Sequence, residues 1–273
     1  MYTLQEWLLL ADHKIVEIVA QRGSTAVIYL NGTRRWFLNQ NKNWADYPKA
    51  AGLAQRQLSQ LFYEHGFQTL LQPLLGYDLL GRGPDYLKLA VEHGLVELAS
   101  QDYRDWYHQN EIQVTFYGNW SAALTALGFG EVVNHLFELI EETGHYTKHK
   151  LLWGVFADEG LARVISMAKA VKRGEELLSR YYGQPVGPVD LIIGSGQPAI
   201  WDLPLLDINK ASLYFLQAPT FCLDKETLRR ILHDHLYQRM NDDELHDDGS
   251  VPEWNRFGVL GIGQRTKKGW TAV

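Results

Sequence analysis

The segment best suited to chemistry is residues 28–37, where an apolar run ends in a polar turn at Gly32 and continues into Arg34 and Arg35. Paired arginines suit phosphate, because each guanidinium can donate two parallel, charge-assisted hydrogen bonds to its oxygens. Gly32 lets backbone N–H groups approach an anion closely, and a helix after the turn would add its positive end. The segment therefore predicts a phosphate site. The alternative is two surface arginines at the start of a helix.

Two other polar motifs have simpler interpretations. Asp78 and Arg82, separated by Leu-Leu-Gly, fit a helix cap with its ion-pair partner, or a second layer of polar groups around an anion; we favour the cap. His233 and His235 are two residues apart on a predicted helix, so they face different sides and do not predict a shared metal site. Arginines 229 and 230 fit either a structural role or a dimer contact.

The elements that must position these residues alternate between strands and helices. Apolar runs predict buried strands at residues 26–30, 67–75, 112–117, 151–156, 191–193 and 213–216. Helical periodicity falls at residues 53–62, 87–98, 132–140, 161–178 and 228–237, with a short amphipathic helix at residues 1–11. This order predicts an α/β fold with a mostly parallel sheet of about six strands between helices. In such a sheet, ligands bind beyond the carboxyl ends of the strands.

Length and composition favour one soluble domain over residues 1–273, with an acidic loop at residues 241–249 and a glycine-containing tail at residues 255–273. We interpret the acidic loop as solvated rather than metal-binding, and the tail as a hairpin or an arm to a second subunit. The formal net charge of -6 argues against a nucleic-acid partner, which requires a basic surface. One cysteine, Cys222, excludes an intrachain disulfide and fits the cytoplasm. No apolar stretch approaches the roughly 20 residues of a membrane span.

Several of these segments resemble the cis-prenyltransferase family, which includes undecaprenyl diphosphate synthase. Residues 31–36, Asn-Gly-Thr-Arg-Arg-Trp, are similar to the family signature Asp-Gly-Asn-x-Arg-Trp after the first strand. Residues 117–119 and 212–215 resemble two further strand motifs of the family. However, Asn31 and Ser212 stand where chain-elongating members carry magnesium-binding Asp and Glu, and residues 193–194 lack their Arg. The resemblance therefore makes chain elongation with isopentenyl diphosphate improbable.

A closer resemblance is to the diterpene synthase branch of this family, the group of tuberculosinol synthase and kolavelool synthase. The similar stretches are residues 32–37, 78–83, 202–206, 212–215 and 227–237. This resemblance implies a C20 diterpenyl diphosphate substrate, Mg²⁺ as cofactor, a homodimer, and release of a diterpene alcohol. The branch carries an essential Asp where this chain has Asn31, so either this member works without that carboxylate or an Asp has been replaced by Asn31.

The resemblance also suggests roles for individual residues. Arg34, Arg35 and the turn at Gly32 and Thr33 would hold the diphosphate, with Asn31 as the metal ligand. Tyr47 aligns with a tyrosine implicated in catalysis in the branch, although a loop tyrosine without a role is equally open. The remaining residues expected around the substrate are Trp36, Tyr77, Asp78, Arg82 and Tyr86. Aromatic faces could stabilise an allylic cation or simply belong to the core, and the candidates are Trp36, Tyr47, Phe62, Tyr77, Tyr86 and Trp201. Transfer to a nucleoside or another acceptor, and an inactive lipid-diphosphate binder, are the alternatives.

Overall fold

The computed structural model describes residues 2–40, 43–158 and 160–238, together with the backbone of residues 263–266 and 269–272. The acidic loop at residues 241–249 lies outside the described residues. Within the described residues no helix is long and apolar enough to cross a membrane.

Strands and helices follow one another along the chain in the predicted order. The elements are α1 Leu4–Leu9, α2 Asp12–Arg22, β1 Thr25–Ile28, α3 Thr33–Leu38, α4 Tyr47–Tyr63, β2 Thr69–Leu75, α5 Pro84–Ala90, α6 Gln101–Asn110, β3 Ile112–Tyr117, α7 Trp120–Ala126, α8 Gly130–Thr143, β4 His149–Val155, α9 Gly160–Ala168, α10 Gly174–Tyr182, β5 Leu191–Ser195, β6 Ser212–Leu216, α11 Lys225–Tyr237, β7 Gly263–Thr266 and β8 Gly269–Ala272. Strands β7 and β8 pair antiparallel, so the described part of the tail is a hairpin.

The main sheet has six strands in the order β3-β4-β2-β1-β5-β6, and every neighbouring pair is parallel. The predicted fold class is therefore confirmed. Strands β2, β4 and β3 are added in that order along one edge of β1. The chain then returns, and β5 and β6 are added along the opposite edge of β1. This reversal makes the carboxyl end of β1 a topological switch point, where open parallel sheets place their ligands.

Apolar side chains cover both faces of the sheet, which explains why the strands read as continuous apolar runs. The larger core packs helices that include α1, α2, α4, α6, α8 and α11 against one face, through residues such as Trp7, Phe62 and Leu232. The smaller core lies on the other face, where Tyr181 and Tyr182 of α10 are buried against Val27 and Leu152. A parallel sheet buried on both faces leaves its edges and strand ends as the places where polar groups can collect.

Several helices differ from the residue ranges predicted for them. Residues 161–178 form two helices, α9 and α10, because the charged segment between them leaves the helical conformation and Arg173 is extended. The segment 87–98 begins as α5, widens to a π-helical turn at Val91–Leu95 and ends in a 3-10 turn at Glu97–Ala99. Helices α2, α6 and α7 were not predicted. In α6 the buried residues are tyrosines, which weakened its hydrophobic pattern.

The two histidines and two arginines of α11 have separate structural partners. His233 contacts the Tyr2 carbonyl oxygen through Nε2, whereas His235 Nδ1 lies 2.8 Å from Ser212 Oγ, so the two rings do face different sides. Arg229 is buried, binds the carbonyl oxygens of residues 8 and 10, and pairs with Asp12. Its neighbour Arg230 forms an exposed ion pair on the same helix. Arg229 therefore has a structural role, which is one of the two interpretations offered by the sequence.

Candidate active site

The turn that follows β1 is held in place by Thr220. Thr220 Oγ1 donates to the Tyr29 carbonyl oxygen at 2.8 Å and accepts from Asn31 N at 3.3 Å, while Thr220 N donates to the Asn31 carbonyl oxygen at 3.2 Å. Gly32 has a left-handed φ of 75°, and a Cβ there would lie 3.2 Å from Pro219 Cβ. A larger residue at position 32 would therefore be both strained and crowded.

Asn31 presents an uncommitted oxygen at this turn. Its Oδ1 is buried and has no hydrogen-bond partner among the described residues. Such an atom normally costs free energy unless a ligand or water satisfies it. An amide oxygen is an uncharged but acceptable ligand for Mg²⁺, which commonly takes only one or two protein ligands and fills its shell with substrate phosphates and water. Asn31 fits that arrangement as a single ligand; no group of three His, Cys, Asp or Glu side chains in the described residues could hold a metal.

Arg34 and Arg35 lie immediately after the turn. Neither forms an ion pair or side-chain hydrogen bond with any described residue, and Arg35 Nη2 lies near Gly32, 3.2 Å from where a Cβ would be. Helix α3 contains only six residues. Because so short a helix contributes little of the expected dipole, the two guanidinium groups supply most of the positive charge.

Tyr47 stands beside this turn at the start of α4. Its Oη lies 2.8 Å from Thr33 Oγ1, and its ring stacks on Trp44 with centroids 4.7 Å apart. Burial raises the pKa of the Tyr47 phenol, and the hydrogen bond to Thr33 opposes that rise only in part. Tyr47 is therefore a neutral hydroxyl at neutral pH, able to donate and accept but not to act as a phenolate.

Arg82 adds a third guanidinium group near the turn, and the ring of Tyr86 lies against both Arg82 and Arg34. The Tyr86 ring centroid lies 5.3 Å from Arg34 Cζ and 5.4 Å from Arg82 Cζ, so two guanidinium groups flank one ring. Arg82 Nη2 pairs with Asp78 Oδ2 at 2.5 Å. Asp78 lies within a 3-10 helix whose cap is Gly76 and forms no capping hydrogen bond. The capping interpretation of Asp78 was wrong, whereas its pairing with Arg82 is confirmed.

Tyr77 belongs to a neighbouring group of polar residues at the carboxyl ends of strands β2, β3 and β4. Its hydroxyl accepts from Asn119 Nδ2 at 2.9 Å, and its backbone N–H donates to Asp158 Oδ2 at 2.6 Å. Arg163 Nη1 in turn donates to Asn119 Oδ1 at 3.2 Å. Each of Tyr77, Asn119 and Asp158 follows the carboxyl end of a different strand, so the sheet order brings them together.

Trp201 and Asp202 complete this edge of the sheet. The Trp201 ring stacks on Tyr29 at 3.9 Å, and the Tyr29 hydroxyl bonds to the Trp201 backbone at both its oxygen and nitrogen. Asp202 has a left-handed φ of 59°, which is unusual for a residue other than glycine. Burial, together with the carboxylates of Asp158 and Asp78, raises the pKa of Asp202 to about 6.

Two of the aromatic residues weighed for the pocket, Phe62 and Trp36, pack against other aromatic rings. Phe62 is fully buried in the core beside Phe67, so it lines no open site. Trp36 is half-buried and packs edge-on against Phe221 at 5.1 Å. Ser212, at the position of the elongating enzymes' Glu, is buried and hydrogen-bonded to His235.

The structure thus brings together most of the residues predicted from the sequence. Asn31, Gly32, Thr33, Arg34, Arg35, Tyr47, Asp78, Arg82 and Tyr86 surround the turn after β1, Trp36 packs behind it, and Tyr77 joins the adjoining group. Sequence reasoning assigned no role to Asp158, Arg163 and Thr220, and it included Asn119 only as part of a family strand motif. Asn119 and Asp158 could also have been noticed from their position directly after predicted strands.

Comparison with solved structures defines the class of protein. The chain superposes on a probable undecaprenyl diphosphate synthase from Campylobacter jejuni with a TM-score of 0.57 and 16% identity, covering 78% of this chain and 95% of that one. Lavandulyl diphosphate synthase from Lavandula x intermedia, solved with dimethylallyl diphosphate, gives a TM-score of 0.61 and 11% identity with the same coverage. At these identities the likeness shows the fold, which is that of the cis-prenyltransferases.

Comparison with characterised sequences defines the family. The chain is 35% identical over 246 residues to tuberculosinyl adenosine transferase from Mycobacterium tuberculosis, across 86% of this chain and 83% of that protein. It is 25% identical over 263 residues to (+)-kolavelool synthase from Herpetosiphon aurantiacus, across 90% and 88% of the two chains. No protein-family model matches. The chain therefore belongs to the tuberculosinyl adenosine transferase family, a group of enzymes with the cis-prenyltransferase fold.

Proposed function

We propose that this protein ionises a bicyclic C20 allylic diphosphate and that water captures the resulting cation, which yields a diterpene alcohol and diphosphate. The observation that carries the proposal is the pair of guanidinium groups, Arg34 and Arg35, left without carboxylate partners among the described residues. They follow Asn31 in the turn at the switch point of the sheet, and Asn31 Oδ1 has no hydrogen-bond partner among the described residues. The relatives described above support a prenyl diphosphate as the anion.

Ionisation is the first step of the proposed reaction. The allylic C–O bond breaks, its electron pair leaves with the diphosphate, and negative charge grows on that leaving group. Arg34 and Arg35 stabilise this charge, which is the largest demand the reaction makes on the protein. Asn31 Oδ1 would hold Mg²⁺, and the bound ion would neutralise further charge on the diphosphate.

Capture of the cation is the second step. The allylic cation shares its charge between the first and third carbons, and the face of Tyr47 that Trp44 leaves uncovered stabilises it through the ring quadrupole. Water adds at the third carbon to give a tertiary alcohol. Because Tyr47 stays neutral, its hydroxyl relays the water proton towards the departing diphosphate rather than keeping it. The balance is one diphosphate ester and one water consumed, and one alcohol and one diphosphate released.

Transfer of the same cation to a nucleoside is the second candidate function. It is favoured by the 35% identity to a protein named as an adenosine transferase, compared with 25% to a synthase. The two reactions share the ionisation step and differ only in the nucleophile. Adding adenosine to the assay distinguishes them, because transfer gives a prenylated nucleoside and capture by water gives a free alcohol.

The proposal is tested by product analysis of the chain and of Asn31→Asp. Each is incubated with bicyclic C20 allylic diphosphates and magnesium, and products are identified by gas chromatography with mass spectrometry. We expect a diterpene alcohol from at least the Asp variant, since a carboxylate adds negative charge to the metal ligand. If neither form releases diphosphate from any of these substrates, the enzymatic function proposed here is wrong and a binding role replaces it.

A further inference from the structure

The loop that follows β6, residues 217–222, carries none of the charged residues of the phosphate site, yet it is bound to the turn after β1. We propose that Thr220 in this loop is a positioning residue for the metal site. Its hydroxyl fixes the orientation of Asn31, so that Asn31 Oδ1 is presented to a divalent cation bound with the diphosphate. The inference rests on the proposed function, which assigns Asn31 Oδ1 as the Mg²⁺ ligand. Thr220 acts through Asn31 and contacts neither the cation nor the substrate.

The first observation is that Thr220 holds the main chain on both sides of the Asn31 Cα atom. Thr220 N donates to the Asn31 carbonyl oxygen at 3.2 Å, and Asn31 N donates to Thr220 Oγ1 at 3.3 Å. The Thr220 hydroxyl donates to the Tyr29 carbonyl oxygen at 2.8 Å, and that oxygen also accepts from Asn31 N at 2.9 Å. Because both peptide groups of Asn31 are held by these bonds, only its side-chain torsions remain to be set by a ligand.

The second observation is a contrast between the two side chains. Thr220 is fully buried, and its hydroxyl is committed to the turn as both donor and acceptor. Asn31 Oδ1 is also buried, but no described residue donates a hydrogen bond to it. One satisfied and one open polar group, side by side, are the arrangement expected when the first orients the second for a ligand. The Thr220 hydroxyl has no hydrogen left to donate to substrate, so its role is positional.

The third observation is that the loop has anchors of its own, independent of the turn. Ser195 Oγ donates to the Ala218 carbonyl oxygen at 2.7 Å, and Gly196 N donates to the Leu216 carbonyl oxygen at 2.8 Å. These bonds tie the loop to the end of β5, which is the neighbour of β1 in the sheet. Thr220 is therefore held in a fixed position beside the turn, and it transmits that position to the turn.

The chemistry of the metal makes this positioning matter. Mg²⁺ requires near-octahedral geometry, with ligand distances of about 2.0 to 2.1 Å. A carboxylate attracts the cation by its charge, whereas the neutral amide of Asn31 lacks that attraction and depends more on its orientation. Removal of a group that orients a metal ligand typically costs about 10- to 100-fold in metal affinity or activity. The Thr220 hydroxyl is placed to supply that orientation.

The test compares two substitutions of Thr220 with a matched control. Thr220→Val removes the hydroxyl and keeps the shape, whereas Thr220→Ser keeps the hydroxyl. Thr143→Val is the control, because Thr143 is also fully buried and its Oγ1 likewise donates to a main-chain oxygen and accepts from a main-chain N–H. Thr143 contacts β3, which two strands separate from β1, so its loss leaves the turn in place. Thermal unfolding measures the stability of each variant, and Thr220→Ala replaces the valine variant if that variant does not fold.

The measurement is binding of inorganic diphosphate by isothermal titration calorimetry, first with EDTA and then with saturating Mg²⁺. The ratio of the two dissociation constants gives the gain in affinity that the metal provides. We expect Thr220→Val to reduce this gain by about tenfold or more, with little change in the metal-free affinity. Thr220→Ser and Thr143→Val should keep the gain of the unaltered chain. A purely structural role for Thr220 would lower the stability of Thr220→Val and leave the gain unchanged.

Asn31→Ala decides whether Thr220 acts through Asn31. In the Asn31→Ala background we expect Thr220→Val to cause no further change in the gain, because the group that it positions is absent. The proposal is overturned if Thr220→Val keeps the full gain, if the two substitutions reduce the gain additively, or if the unaltered chain gains no affinity from Mg²⁺. Failure of the proposed function looks different, because the unaltered chain would then bind no diphosphate under either condition, and the inference would fall with it.

Discussion

At the residue scale, Arg34 and Arg35 matter most, because no carboxylate among the described residues pairs with either guanidinium group. Arg34→Ala removes an exposed group that contacts Tyr86 but makes no ion pair within the described residues, so its stability cost is small. A lost charged hydrogen bond costs about 1.5 to 3 kcal/mol, so we expect affinity for inorganic diphosphate to fall tenfold or more. Calorimetry on Arg34→Ala and on the exposed control Arg230→Ala measures this; equal affinities would show that Arg34 does not bind the anion.

Tyr47 gives a second prediction, which separates its hydroxyl from its ring. Tyr47→Phe keeps the stacking on Trp44 and removes only the group that contacts Thr33. We expect turnover to fall about a hundredfold or more with KM little changed, since a positioned proton-transfer group contributes roughly 10² to 10⁴ in rate. Tyr146→Phe, which loses a hydroxyl bonded to His108, is the matched control. Unchanged kcat in Tyr47→Phe would exclude the relay.

Asp202 gives a prediction for the pH dependence of stability. Its pKa is raised from 3.8 to about 6, so the folded protein binds this proton more tightly than the unfolded chain. Ionisation of Asp202 therefore lowers stability progressively as pH rises through that range, and the loss is complete above about pH 6. We expect Asp202→Asn to be more stable than the unaltered chain at pH 8, by about 1 kcal/mol after allowance for solvent screening.

Urea unfolding at a series of pH values from 4 to 8 measures this difference. The stability gap should shrink as the pH falls towards 4, because Asp202 then carries a proton in the folded protein. A gap that stays constant over this range would show that Asp202 is not the titrating group.

Some residues of the site could be predicted from the local sequence, and others could not. Arg34, Arg35 and Gly32 occupy one short segment, so their chemistry could be predicted without any tertiary structure. Asn119 and Asp158 follow different strands and became neighbours only through the sheet order, which no local pattern encodes. Asp78 was misjudged because a carboxylate near a turn suggests a cap, whereas Arg82, four residues later, is its partner.

At the element scale, the interface between α11 and the N-terminal helices gives a contrast between two adjacent arginines. Arg229 is buried and bonds to carbonyl oxygens at the end of α1 and to Asp12 at the start of α2. Among the described residues, Arg230 pairs only with Glu226, and both side chains are exposed. We expect Arg229→Ala to lower the free energy of unfolding by about 2 to 4 kcal/mol, and Arg230→Ala by less than about 0.5 kcal/mol. Urea denaturation of both variants decides this, and equal losses would contradict the anchoring role of Arg229.

The elements show why strands were easier to predict than helices in this fold. A strand buried on both faces is a short apolar run, and all six strands of the main sheet were found within a few residues of their observed ends. Helices such as α2 and α6 bury only a narrow stripe and expose many charges, so their periodicity was weak. The break between α9 and α10 lies in a charged segment. Because one long helix could also carry these charges on an exposed face, the sequence did not reveal the break.

At the scale of the whole molecule, the sheet brings two kinds of charge to one edge. Positive groups gather after β1 and β2 around the turn at Gly32, whereas Asp158 and Asp202 follow β4 and β5. A substrate that separates into an anion and a cation suits such an edge, because each product meets groups of opposite charge. This complementarity could not be predicted from the sequence, since the net charge of -6 gives no indication of where charges lie.

The most direct test of the central claim is to identify which bond breaks. The chain is incubated in H₂¹⁸O with a bicyclic C20 allylic diphosphate and magnesium, and the alcohol and diphosphate are analysed by mass spectrometry. Ionisation at the arginine turn predicts ¹⁸O in the alcohol and none in the diphosphate, because the carbon–oxygen bond is cleaved and water adds to carbon. An unlabelled alcohol with ¹⁸O in the released phosphate would mean attack at phosphorus, and would contradict the account.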